Sequence, residues 1–404
     1  MRVLHLIDAA GPQATGTTLA LLKDSQPPPG SGGARVVLLG GSKLRLAAHG
    51  SGIRNPAALG VPFGHALGGI AAVKRMLKDW GRFDLIHTWS IGTLVLATLL
   101  QPRCPRVLTL TIPPTKRQAG WLGVLTTIPG ASRSVLLPIS NTIRRAVLSA
   151  GSPKACVHVL RPSIDLGRIP RDRGQALRAA WGIHDDHTKV VALLGDPLGA
   201  ADAMDAMMAV GLAAESYGSA RPDRLRLLLH PDQHRRTRAQ HALQIVGRSR
   251  RLSQEPGLAH PWTVLPGCDV ALVPAAPCTG AVSNNGPDLQ SGGGLSLLWA
   301  MAANVPIVGE ATYGTSEIVE DRHSALLARP RAPRFLAHRI RQVLDDRDLA
   351  WRVRDTARHE AFSYFSKHRY GQNLQLVYAQ VLGGQEVQVP ALESTGGLRF
   401  AGRA

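Results

Sequence analysis

Short apolar runs recur along the chain, separated by helix-length segments and Gly/Pro breaks. In the first half these runs predict strands at residues 2–8, 34–40, 84–89, 106–111, 134–140 and 156–162. They are rich in Val, Leu and Ile without alternating polar residues, which is typical of parallel strands covered on both faces. Residues 141–151 begin with Asn and end with Gly, so they predict a helix capped by Asn141. This β–α rhythm predicts a doubly wound α/β sheet.

A second series of the same kind follows a Pro/Gly/Arg-rich connector. Its predicted strands lie at 188–195, 224–230, 268–274, 305–309 and 324–328, and helices follow from 333 to 382. Two doubly wound, Rossmann-like domains facing across a cleft form the GT-B arrangement, which is the predicted fold. We therefore divide the chain into an N-terminal domain (1–165), a hinge (166–174), a C-terminal domain (175–365), a closing helix (366–383) and a flexible tail (384–404).

Length and composition agree with two globular domains. The chain has 404 residues, 44% of them hydrophobic, enough for two cores. Its longest apolar run, Ile91–Leu100, is about half the length of a membrane-spanning helix. The N-terminus enters a strand pattern at once, and the four cysteines form no CxxC pair. We therefore expect a cytoplasmic protein, peripheral at the inner face of the membrane if it contacts lipid.

The charge is extreme. Lys and Arg number 47 against 28 Asp and Glu, a formal net charge of +19. Such a field favours polyanions, including nucleic acid, an anionic membrane surface and phosphorylated ligands. Aromatic residues make up only 4% of the chain, and no zinc finger or RNA-binding signature accompanies the charge. Nucleic acid is therefore the least favoured partner, because it usually needs stacking platforms as well.

Several segments, in this order, resemble the group 1 (family 4) glycosyltransferases of GT-B fold. They are MRVLHLID, DLIHTWS, SNTIRRAVLSAGSPKACVHVLRPSID, CDVALVP, GLSLLWAMAANVPIVG and GTSEIVEDRHSALL, spanning residues 1 to about 382. The resemblance implies retaining transfer of a sugar from a nucleoside-diphosphate donor to a cell-envelope or lipid-linked acceptor. It implies no metal and no cofactor, because basic side chains stabilise the leaving pyrophosphate.

The donor site departs from the family pattern. The family carries two glutamates, with seven residues between them, around a glycine turn; here those positions are Ser291 and Trp299. The turn itself survives and supplies the donor-binding candidates Gly292, Gly293, Gly294 and Leu295. With its glycines and the helix that follows, it is suited to an anion.

Positions expected to hold phosphate are degenerate as well. An arginine and a lysine of the family pattern fall at Asp196 and Asp202, and a glycine pair falls at Gln13 and Ala14. Two unit charges about 4 Å apart interact by roughly 1 kcal/mol in water and roughly 4 kcal/mol at an effective dielectric of 20. Two aspartates in place of two cations would therefore weaken pyrophosphate binding. A histidine of the family pattern is Thr111. The catalytic residues therefore stay unassigned.

Other candidates carry open alternatives. Glu317 is the surviving acidic match and is predicted either to contact the sugar or to cap the turn at Ile318. His87 is predicted to be a packed histidine rather than a catalytic one. The polar insertion at 275–290 could replace a lost contact through Asp288 or Gln290, or it could be surface slack.

A basic, apolar segment follows a Pro-Pro break in the first domain. Lys116, Arg117, Trp121 and Leu122 suit an interfacial helix that contacts anionic lipid or the acceptor. The alternative is a helix packed on the sheet.

Three functions remain open. The first is a glycosyltransferase, favoured by the whole-chain resemblance. The second is a catalytically inactive, glycosyltransferase-like binding or regulatory protein, favoured by the joint losses around the cleft. The third is a nucleic-acid binder that uses the +19 charge. The sequence assigns no oligomeric state.

Overall fold

The computed structural model describes residues 1–8, 18–19, 21–23, 34–39, 53, 57–59, 73–75, 77–127, 134–170, 174–194, 200–217, 225–228, 261–274 and 294–390. Within these ranges the predicted α/β architecture is confirmed. The described strands form two separate sheets, and every strand pair is parallel.

The first sheet has six strands in the order β3-β2-β1-β4-β5-β6. They are β1 Val3–Asp8, β2 Ala34–Leu39, β3 Ala57–Leu59, β4 Leu85–Thr88, β5 Arg106–Leu110 and β6 Ser134–Pro138. Three helices of this half are α1 Ile91–Leu100, α2 Lys116–Thr127 and α3 Asn141–Ser149. Strands β4, β5 and β6 are buried at every residue, as expected for strands with both faces covered.

The second sheet has five strands in the order β11-β10-β9-β7-β8. They are β7 Lys189–Leu193, β8 Leu225–Leu228, β9 Val270–Val273, β10 Ile307–Glu310 and β11 Leu326–Ala328. The helices of this half are α4 Gly174–Ala180, α5 Ala200–Tyr217, α6 Pro261–Val264, α7 Gly294–Ala302, α8 Tyr313–Ser316, α9 Pro333–Asp345 and α10 Arg347–Tyr364.

Each sheet reverses its strand order once. In the first sheet the reversal lies between β1 and β4, and in the second between β7 and β9. Ligands of doubly wound proteins bind outside the carboxyl ends of the strands at such reversals. The fold therefore points to two crevices, one in each half of the chain.

The last helix, α11 (Lys367–Gly383), returns to the first half. Its buried residues join the core that also contains β1, β4 and β5; they are Tyr370, Leu374, Val377, Tyr378 and Val381. Where the chain crosses back, the Ile164 N–H donates to the Phe365 carbonyl at 2.9 Å. Lys367 Nζ lies 3.0 Å from Asp165 Oδ1. The two halves are thus connected at residues 164–165 and 365–367.

The structure corrects three predictions. Residues 156–162 do not form a regular strand, because Lys154–Cys156 is a 3-10 turn. The chain beyond it runs beside β6, with one bridge from Leu136 to Val157 and with the His158 and Leu160 N–H groups donating to the Leu136 and Pro138 carbonyls at 3.0 and 3.1 Å. The N-cap of α3 is Ser140, whose hydroxyl accepts from the Ile143 N–H, and not Asn141. The tail does not begin at 384, because Val387 is buried in the first core.

Candidate functional site

Asp8 lies at the reversal point of the first sheet. It is the last residue of β1, and Ser90, which follows the neighbouring strand β4, shares a side-chain hydrogen bond with it. The other oxygen, Oδ1, is buried without a hydrogen-bond partner among the described residues. Burial raises the pKa of the Asp8 carboxyl, against a smaller lowering by the bond to Ser90. Among the described residues, Asp8 thus has an unoccupied acceptor oxygen at the reversal point of the first sheet.

Asp8 was missed from the sequence, although a signal existed. A carboxylate at the end of a buried strand is unusual, because buried charge is costly unless it is paired. The order of the strands, which shows that β1 borders the crevice, could not be known from the chain alone.

Thr111 follows β5 and is buried. Its hydroxyl lies 3.4 Å from the hydroxyl of Thr18, so the two side chains face each other inside the first half. Gln13 and Ala14 lie outside the described residues.

His87 belongs to the core, as the packed-histidine interpretation predicted. Its Nδ1 lies 2.5 Å from the Tyr378 hydroxyl, and its Nε2 lies 2.8 Å from the Thr109 hydroxyl. Its ring stacks on Trp89 with centroids 4.4 Å apart. Burial, and secondarily His5, hold the pKa of His87 well below its usual range. The imidazole is therefore neutral and connects α11 to the first sheet.

On the donor side, helix α7 begins at Gly294, the last glycine of the predicted turn. Leu295, the next residue, is half-buried. Asp202 lies in helix α5. Ser291, Gly292, Gly293 and Asp196 lie outside the described residues, as does the insertion at 275–290.

Trp299 occupies the position where the family pattern has its second glutamate, and it is part of the core. It is 6% exposed, and its ring centroid lies 4.5 Å from that of Trp262. The guanidinium of Arg168, in the hinge, lies 5.5 Å from the centroid of the Trp262 ring. Trp299, Trp262 and the guanidinium of Arg168 thus form an aromatic column that joins α7 to α6 and the hinge.

The carboxylate of Glu317 accepts hydrogen bonds from three residues of the first half of the chain. Its Oε1 accepts from the backbone N–H and the hydroxyl of Thr142, both at 2.7 Å. Its Oε2 accepts from the Asn141 N–H at 2.6 Å and from Arg161 Nη1 at 2.5 Å. Both carboxylate oxygens of Glu317, a residue of the second half, therefore accept hydrogen bonds from the first half. Sequence reasoning missed Arg161, because a contact between residues 156 apart leaves no local pattern.

Helix α2 exposes one apolar face. Trp121 and Val124 are each 51% exposed, and Arg117, one turn before Trp121, is exposed as well. Leu122 is completely buried, which corrects its assignment as a membrane contact. Lys116 is the first residue of the helix.

Other polar groups have structural explanations. Asp346 caps α10 by accepting from the Leu349 N–H at 2.9 Å.

A cavity of about 600 Å³, bordered by Phe335, His338 and Arg339, lies beside β11, the strand at the edge of the second sheet. Within the described ranges no group of His, Cys, Asp and Glu could hold a metal ion. Among the same residues, no helix has both the length and the apolar character needed to cross a bilayer.

Comparison with known proteins agrees with this geometry. Residues 258–360 match the family model of glycosyl transferases group 1. HepE of Anabaena, solved with UDP and glucose, has a TM-score of 0.73 at 17% identity, over 94% of this chain and 100% of that chain. The sucrose-phosphate synthase of Thermosynechococcus elongatus reaches a TM-score of 0.62 at 15% identity, over 95% of this chain and 100% of its own.

WaaG, a glycosyltransferase involved in lipopolysaccharide biosynthesis, is another structural neighbour, with the same TM-score as the sucrose-phosphate synthase. Its TM-score is 0.62 at 14% identity, over 95% of this chain and 100% of that chain. No protein of curated function matches the chain by sequence. The resemblance to group 1 glycosyltransferases is thus confirmed, through the match at residues 258–360, and the fold is GT-B.

Proposed function

We propose that this chain is a glycosyltransferase that moves a sugar, with retention, from a nucleoside-diphosphate donor to a cell-envelope or lipid-linked acceptor. The observation that carries the proposal is the GT-B architecture over nearly the whole chain, together with the family match in its second half. UDP is the first carrier to consider, because HepE was solved with it. WaaG motivates the envelope acceptor.

The donor pyrophosphate would lie at the start of α7. The first N–H groups of a helix have no partner inside the helix, and the helix dipole favours an anion there. Because Trp299 is buried against Trp262, it cannot hold a sugar hydroxyl as a glutamate would. The sugar must therefore be held by other groups.

On the acceptor side, Asp8 would orient the attacking hydroxyl. Its free oxygen accepts a hydrogen bond from that hydroxyl and turns the oxygen lone pair towards the donor. Fixing the nucleophile in this way lowers the entropic part of the barrier.

A nucleotide titration tests the proposal. Thermal unfolding is followed with UDP, GDP, ADP and their common sugar conjugates at fixed ionic strength. A ligand at about 100 times its Kd stabilises the folded state by about 2.7 kcal/mol. Release of free nucleotide from the stabilising conjugate then reports transfer or hydrolysis, and NMR of the product gives its anomeric configuration. The absence of any shift would refute donor binding.

A second function has its own observation. Where the family has a sugar-binding glutamate, this chain has Trp299, which is buried against Trp262. This replacement favours a catalytically inactive binding or regulatory protein. A saturable shift with one nucleotide, but no nucleotide release over prolonged incubation with acceptor extracts, would support this function against transfer.

We also propose that α2 docks the first half on anionic lipid. The exposed face of Trp121 and Val124 would insert among the headgroups, with the exposed Arg117 close to lipid phosphates. The buried Leu122 takes no part.

Vesicle flotation tests this docking with a matched control. Lys116→Glu/Arg117→Glu and Trp121→Ser are compared with Trp351→Ser, since Trp351 is 56% exposed on α10 in the second half. The first two variants should float less with anionic vesicles, and the control should float like the parent. Equal flotation of all proteins would exclude the α2 face.

A further inference from the structure

One carboxylate joins the two halves of the chain away from the crossing at residues 164–165 and 365–367. Glu317 follows α8 in the second half and reaches Asn141, 176 residues earlier in the sequence. All four of its bonds, at 2.5–2.7 Å, go to the first half. Bonds of this length are typical of charge-assisted contacts.

Helix α3 is completed by this contact. The first N–H groups of a helix need partners from outside it. Ser140 takes the N–H of Ile143, and Glu317 takes those of Asn141 and Thr142. The positive end of the helix dipole and the guanidinium of Arg161 both favour the carboxylate at this position.

The contact is largely shielded from solvent. The side chain of Glu317 is 11% exposed and that of Arg161 is 17% exposed. Salt therefore screens this pair less than it screens an exposed ion pair. Breaking it would leave two helix N–H groups and a guanidinium to be resolvated, so the contact either stays closed or opens as a unit.

We infer that Glu317, Arg161 and the start of α3 form a clasp that holds the two halves in the arrangement seen here. Arg161 and Glu317 are then positioning residues: they set the relation between the two crevices and touch no reacting atom. The clasp itself does not depend on the proposed function. Its effect on transfer rests on that function.

Isosteric and conservative variants test the clasp. Glu317→Gln keeps the shape of the side chain but places an amide N–H₂ opposite N–H donors of the first half. Arg161→Met removes the guanidinium, and Arg161→Lys keeps its positive charge. Glu320→Gln, an exposed residue three positions later, is the matched control. Hydrogen exchange is followed at the amides of Asn141 and Thr142, and small-angle scattering gives the radius of gyration.

We expect Glu317→Gln and Arg161→Met to exchange those two amides faster, by about tenfold or more, and to increase the radius of gyration. Arg161→Lys should recover much of the protection, and Glu320→Gln should match the parent. A Glu317→Gln variant whose scattering curve superimposes on that of the parent would overturn the clasp. Melting temperatures show that the variants are folded, and slow exchange at unrelated helices in Glu317→Gln confirms it.

These measurements need no nucleotide, so the two proposals fail separately. An opened Glu317→Gln variant of a parent that binds no nucleotide would refute the donor site and leave the clasp standing. If the parent does transfer sugar, Arg161→Met should lower kcat more than it raises KM, because the reacting groups are intact but misplaced. An unchanged kcat would refute the positioning role.

Discussion

Asp8 gives the sharpest test of the first crevice. Its Oδ1 is buried without a partner among the described residues, and burial raises the pKa of its carboxyl. A raised pKa means that the folded protein disfavours the charged form. The penalty is absent below the pKa of an unfolded Asp, about 3.9, and is fully present above the folded pKa. Stability is therefore lost as pH rises through this window.

Asp8→Asn removes the charge and keeps the shape. An unsatisfied buried polar group costs roughly 1–3 kcal/mol, and more when charged. We therefore expect the variant to be more stable than the parent by about 1–3 kcal/mol near pH 8, with a smaller gain near pH 4. For a domain of this size each kcal/mol raises Tm by about 2–4 °C.

The measurement is thermal unfolding at both pH values, with Asp79→Asn as control, because Asp79 is exposed in the same half of the chain. The control should show no gain. If Asp8→Asn were less stable than the parent at high pH, Asp8 would be a structural partner of Ser90 and not an unsatisfied group held for a ligand. If Asp8→Asn is more stable than the parent but no longer transfers sugar, the Asp8 carboxylate is kept for activity at the expense of stability.

Two further predictions follow from buried groups. Tyr378→Phe removes the hydroxyl that lies 2.5 Å from Nδ1 of His87. We expect the free energy of unfolding to fall by about 1–3 kcal/mol, which calorimetry would show as a lower Tm of the first half. An unchanged Tm would contradict the buried hydrogen-bond network. Trp299→Glu places a carboxylate against Trp262 in the core, so we expect a loss of about 3 kcal/mol or more and no gain of transfer, whereas Trp299→Phe should fold. A soluble, stable Trp299→Glu protein would show that the column is dispensable.

The fold could be predicted because its signal is local. Strands covered on both faces read as runs of Val, Leu and Ile, and the predicted strands around residues 2–8, 106–111 and 268–274 are confirmed. Strand β3, with the sequence AAL, was missed because small residues over three positions give no such run. Residues 156–162 resemble a strand in composition, but they make only one regular bridge, at Val157, and two backbone hydrogen bonds to β6, from the N–H groups of His158 and Leu160.

The candidate site was harder to predict because its contacts are not local. The partners of Glu317 lie 156 to 176 residues away, and no spacing rule connects them. The buried face of α2 shows the same difficulty. Leu122 and Trp121 are neighbours with large side chains, and only packing decides that the first is buried and the second exposed. Several predicted site positions lie outside the described residues and stay predictions.

The return of α11 to the first core has a consequence for biosynthesis. Tyr370, Leu374, Val377, Tyr378 and Val381 complete the apolar cluster begun by β1. A ribosome that has made residues 1–165 must still add more than 200 residues before that helix emerges, which takes roughly 10–45 s at about 5–20 residues per second. During this interval the nascent first half exposes apolar surface and the Nδ1 of His87, which still lacks the Tyr378 hydroxyl. The second half can therefore finish folding first, and a chain cut before residue 367 would be expected to engage chaperones through its oldest part rather than its newest.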